Sequence, residues 1–89
     1  MKAVTVFSTY EGSLELVRGP GLVVQCWWRS GKEDVLILQF SLDDPDWKFS
    51  TLAVLTATFP ESDAKRITEF FTAAMLDLFP FVVVGGAES

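Results

Sequence analysis

The sequence predicts an α+β domain, an antiparallel sheet of four to five strands packed on one C-terminal α-helix in the order β-β-β-β-β-α. Three observations carry this expectation. Residues 3–10, 22–29 and 35–42 are dense in Val, Thr, Leu, Phe and Trp, the types that fit a pleated, half-buried surface. Turn-forming groups separate them at Glu11-Gly12, Gly19-Pro20-Gly21, Ser30-Gly31-Lys32 and Asp43-Asp44-Pro45-Asp46. Beyond Thr58 the apolar residues recur about every 3.6 positions instead of every second one.

Taken in order, 3–10 and 13–18 read as a hairpin closed by the Glu11-Gly12 pair. Gly19-Pro20-Gly21 breaks the chain before the two stronger strands, 22–29 and 35–42. In the acidic turn that follows, Pro45 pre-sets φ and the aspartates bond nearby backbone. Residues 49–57 read as a fifth strand. Thr58-Phe59-Pro60-Glu61 fits a capping box, with Ser62 as the rival cap. At about 100° per residue, Ala64, Ile67, Phe70, Phe71, Ala74 and Leu78 form one stripe, with Lys65, Arg66, Glu69 and Thr72 opposite. Leu76 also falls opposite the stripe. Pro80 ends the helix, and 81–84 reads as a last short strand or a packed tail. The whole is one domain over 1–84, with 85–89 as a flexible tail.

The parity of the second hairpin indicates which side chains share a face. A loop of two or four residues would set Trp28 beside Glu33 or Val35, and neither face would be consistently apolar. A three- or five-residue loop groups Leu22, Val24, Cys26 and Trp28 with Leu36, Leu38, Phe40 and Leu42, because one residue of slip turns every side chain over. Gly31 suits the left-handed position such a loop often needs. The opposite face then carries Val23, Gln25, Trp27 and Arg29 with Val35, Ile37, Gln39 and Ser41. One helix of about five turns covers one side of a sheet, which leaves this second side either to a partner or second copy, the preferred reading, or to residues 81–84 or the first hairpin folding over it. Adjacent tryptophans on a strand point to opposite sides, so Trp28 is the core residue and Trp27 the exposed one.

Composition limits the chemistry. Histidine is absent, which removes Ser-His and Cys-His catalysis and histidine metal ligation. The single cysteine forms no disulfide within the chain and reads as a small core residue. The acidic turn lacks the spacing of a calcium loop, Glu33-Asp34 lies at a hydrated hairpin tip, and Gly19-Pro20-Gly21 is not a phosphate loop. No catalytic residues, cofactor or metal are expected. The start of the chain lacks the pattern of a signal peptide, and residues 78–84 fall short of the ~20 needed to span a bilayer, so no membrane association and a cytoplasmic location are expected.

Twelve acids against seven bases give a net charge of −5, the wrong sign for coating nucleic acid. Tryptophan, arginine and flanking aliphatics are enriched at protein-binding hot spots. The sequence therefore points to a non-catalytic acidic module, a small regulator or inhibitor that docks on a protein, one with a basic surface for preference, or forms a homodimer. Its binding residues would be Val23, Gln25, Trp27, Arg29, Val35, Ile37 and Gln39. Immunity proteins, antitoxins and phage-encoded inhibitors share this size and charge, an analogy and nothing closer. Two alternatives stand beside it: a sheet that stacks single-stranded nucleic acid on Trp27, and a structural subunit of a larger assembly.

Overall fold

Period-two alternation does give strands in the first half of the chain. The computed structural model describes residues 2–80. Its elements are β1 (Ala3–Thr9), β2 (Gly12–Arg18), β3 (Val23–Arg29), β4 (Asp34–Ser41), α1 (Trp47–Thr58) and α2 (Glu61–Leu78). The strands form one antiparallel sheet in the order β1-β2-β3-β4. Two helices follow it and pack on one face: β-β-β-β-α-α. Residues 81–89, with the expected last strand and tail, lie outside the described residues.

One side of the sheet is the core face. Phe7 of β1, Leu14 and Leu16 of β2, and Val24 and Cys26 of β3 are buried there, with Trp28, Leu38 and Phe40 packed against them. Leu55 of α1 and Ile67, Phe71, Ala74, Met75 and Leu78 of α2 close over them. Each strand alternates because successive side chains point to opposite faces. Both edge strands carry a bulge, one between Thr5 and Phe7 and one between Leu36 and Leu38. At each, two successive apolar side chains reach the core: Val6 with Phe7, and Ile37 with Leu38.

The second of these bulges corrects the expected hairpin. The loop is four residues long, 30–33, because Arg29 pairs with Asp34. Ser30 organises it: its Oγ donates to the Glu33 carbonyl at 2.8 Å and accepts from the Lys32 and Glu33 amides. Gly31 does not have a positive φ; among the described residues only Gly21 does, at 65°. The odd residue that parity requires is inserted at Ile37 in the strand instead. Beyond it the expected sharing of a face holds, with Cys26 paired to Leu38 and Val24 to Phe40, whereas nearer the loop Trp28 faces Val35 and Trp27 faces Leu36.

Residues 49–57 are not a strand but the body of α1. Trp47, Leu52 and Phe59 pack against the core around buried Thr51 and Leu55, a helical spacing. The signal for its start was present. Asp44 Oδ1 accepts the Asp46 amide at 2.9 Å, and the Asp44 carbonyl accepts the Trp47 amide at 3.0 Å, which turns the chain into the helix. Threonines, which favour strands, are accommodated by bonding back: Thr56 and Thr58 donate to Leu52 O and Val54 O, each at 2.7 Å. Thr58 thus belongs to the end of α1, and the capping box does not form. α2 opens after Pro60 with no side-chain cap, its first turn holding Glu61 and Asp63. Along α2, Ile67, Phe71, Ala74 and Leu78 are buried as the stripe requires, Met75 joins them, and Phe70 at the margin is exposed.

Thr51 is 2% exposed, and its hydroxyl has no hydrogen-bond partner among the described residues. A buried, unpaired hydroxyl costs roughly 1–3 kcal/mol. Thr51→Val keeps the shape and removes that cost. It is expected to raise the urea midpoint by an equivalent of about 1 kcal/mol, and a lowered midpoint would show that the hydroxyl is satisfied.

Candidate docking face

Both helices lie on the core face, so among the described residues no helix or strand packs on the other. The part of that face around Trp27 is built from three of the four strands. β2 supplies Ser13, Glu15 and Val17, β3 supplies Val23, Gln25, Trp27 and Arg29, and β4 supplies Asp34, Leu36, Gln39 and Ser41; of these Val17 is buried, at 5% exposed, and the others are half-buried or exposed. The cross-strand pairs are Val23–Ser41, Gln25–Gln39, Trp27–Leu36 and Arg29–Asp34 on one flank, and Val17–Gln25, Glu15–Trp27 and Ser13–Arg29 on the other.

Its polar side chains form a continuous chain of contacts. Gln25 Nε2 donates to Gln39 Oε1 at 3.0 Å, and Trp27 Nε1 donates to Gln25 Oε1 at 3.0 Å. The Arg29 guanidinium lies 4.7 Å from the centre of the Trp27 ring. Arg29 Nε donates to Glu15 Oε1 at 3.2 Å, and its Nη1 donates to Asp34 Oδ2 at 3.0 Å. Such half-exposed ion pairs add only ~0–1 kcal/mol to stability. Their effect is geometric: Trp27 is gripped by its indole N–H on one side and stacked by a cation on the other. A rotamer held in this way loses less entropy when a partner covers the ring.

Of the residues expected on this face, Val23, Gln25, Trp27, Arg29 and Gln39 stand together. Val35 and Ile37 do not. The bulge moves Val35 across from Trp28 and packs Ile37 against the core, while Leu36, 43% exposed, takes the place opposite Trp27. Glu15 and Asp34, which grip Arg29, were not among the expected residues. Strand pairing could have placed Glu15 opposite Trp27; nothing in the sequence marks the bulge.

Trp28 and Trp47 belong to the core side. Trp28 packs beside Phe7 and Phe59, at ring distances of 6.2 and 5.4 Å. Trp47 stacks flat on Phe40 at 5.6 Å and touches Phe71 at 6.3 Å, closing the core above β4. Leu76 is exposed on α2.

Cys26 lies fully buried on the core side of β3, and burial pushes its thiol up to about 12. The folded chain therefore holds this proton more tightly than the unfolded chain. The associated stability is complete below the unfolded thiol value, near ~8.5, and is lost as pH rises toward 12. Melts between pH 8 and pH 10 (roughly the window in which an unfolded thiol ionises) should show a decline that is shallower in Cys26→Ala. Equal slopes would mean the thiol is not the group responsible.

Among the described residues no group of three or more Cys, Asp or Glu is placed to hold a metal ion, and no helix is long and apolar enough to cross a membrane. Comparison with protein-family models, curated proteins and solved structures returned no match.

Proposed function

We propose that this protein is a non-catalytic binding module, a small acidic regulator or inhibitor that docks on a protein partner through the Trp27 face of its sheet. The observation that supports this reading is a face on which no described helix or strand packs, with a clamped, half-buried tryptophan at its centre and Val23 and Leu36 beside it. Rigid aromatic anchors of this kind dominate binding energy at protein interfaces. The charge of the face selects the partner. Arg29 is held by two carboxylates, Glu15 and Asp34, which leaves the cluster with an excess negative charge. Glu33 adds to it at the neighbouring hairpin tip. A basic protein surface complements this arrangement, whereas phosphates meet carboxylates and an already paired arginine.

The test is capture with immobilised protein, identification by mass spectrometry and titration of the purified partner. Trp27→Ala is expected to weaken binding by about 30-fold or more, the loss of a ~2 kcal/mol hot spot. Leu76→Ala on the far side should leave it unchanged, and raised salt should slow association. A partner bound equally well by Trp27→Ala would overturn the reading. So would quenching of Trp27 by single-stranded oligonucleotides at physiological salt, which would favour nucleic-acid stacking instead.

A further inference from the structure

The two helices differ in what they turn outward. α2 exposes Glu61, Lys65, Arg66 and Glu69 along its first half, and its two exposed large apolar residues, Phe70 and Leu76, stand six positions apart among charged and small ones. α1 exposes Phe49 (79% exposed), Ala53 and Ala57 at four-residue steps, with Val54 (45% exposed) beside them. Lys48 is the only charged residue in α1. A helix that is apolar outward as well as inward behaves as one buried on both sides. We propose that this outward face of α1 is the contact between two copies of the chain, their helices antiparallel about a two-fold axis at Ala53.

Size and charge both select this occupant and this orientation. Antiparallel pairing about Ala53 sets Phe49 against Ala57 of the second copy, and the reverse at the other end. Bulk meets a small residue twice, and the two Ala53 side chains allow close approach at the axis. Parallel pairing would stack Phe49 on its own copy and leave Ala57 facing Ala57.

A net charge of −5 makes most surfaces of two copies repel, but the exposed α1 face carries no carboxylate. Asp43, Asp44 and Asp46 immediately precede the helix. The antiparallel arrangement puts the two clusters at opposite ends, about 20 Å apart along the axis at ~1.5 Å per residue. That exceeds the ~8 Å screening length at physiological salt. It also brings Lys48 toward the far end of the other α1, where Glu61 and Asp63 open α2. One helix on each side supplies fewer than the ~20–30 residues of a standard interface, so the pair forms in a concentration-dependent way. This contact is separate from the Trp27 face and does not depend on its role.

Size-exclusion chromatography with light scattering, on the full chain from about 10 µM to about 1 mM, tests it. The expected mass rises from one chain to two and stops there. Ala53→Glu sets two carboxylates on the axis and should hold the protein at one chain with unchanged helical circular dichroism. Leu76→Glu should dimerise like the parent.

Cysteine scanning reads the geometry. Ala53→Cys should give a disulfide-linked dimer under oxidation. Ala57→Cys should not, because its α-carbons stand about 12 Å apart along the axis, beyond disulfide reach. Buried Cys26 adds no background. A single-chain mass at every concentration would overturn the proposal, as would a dimer that survives Ala53→Glu or cross-linking at 57 as readily as at 53.

Discussion

Phe71→Ala is expected to destabilise the protein by about 3–5 kcal/mol, the range for truncating a fully buried aromatic. Phe71 is 0% exposed and sits where three layers of contact meet. Its ring lies 6.4 Å from Phe40 and 6.3 Å from Trp47, so it joins α2 to β4 and to the first turn of α1 at once. A chain of this length has a total stability of roughly 4–13 kcal/mol at ~0.05–0.15 kcal/mol per residue. The variant should therefore be largely unfolded at moderate urea, with a midpoint far below the parent's. Phe70→Ala, one residue earlier and 45% exposed, supplies the comparison and should cost under about 1 kcal/mol. Equal losses at the two positions would mean that the helix presents a different face to the sheet.

Gly12→Ala should cost about 1–3 kcal/mol or more, the range for forcing extra atoms into a filled site. Gly12 opens β2 directly after the Tyr10-Glu11 turn. A Cβ there would lie 2.6 Å from the Arg29 carbonyl oxygen and 2.8 Å from the Trp28 ring. The carbonyl is backbone in the neighbouring strand and the indole is wedged beside Phe7 and Phe59, so neither gives way easily. Gly31 is the control, since a Cβ there meets nothing within 4 Å and its φ is not positive. Gly31→Ala is expected to be neutral, or stabilising by up to ~1 kcal/mol through the unfolded chain. Thermal melts of the pair decide the matter: a mild Gly12→Ala would show that the strands part readily at this end.

Strands β1 to β4 were legible because alternation and turn residues agree with one another there. α2 was legible because its charges and its apolar residues occupy opposite sides. α1 was not, since a period is read from contrast and this helix has almost none: Ala53, Val54 and Ala57 are as apolar as the side that meets the sheet. Threonine at 51, 56 and 58 tipped the local preference toward a strand until packing overrode it.

The opposition of Trp27 and Trp28 followed from strand geometry alone. The partners that hold Trp27 did not, because the parity argument counts residues without saying where the extra one is placed. A loop and a bulge satisfy the same count. That freedom is why Val35 and Ile37 were assigned to a face that Leu36 occupies.

The irregularities in β1 and β4 bear on how this chain behaves when crowded. Fibre growth needs a straight rail of free amides and carbonyls onto which one molecule after another can register. Each border of this sheet has a misplaced step near its middle, so an incoming segment finds at most three or four residues in phase. Open-ended polymerisation along either edge is thereby disfavoured.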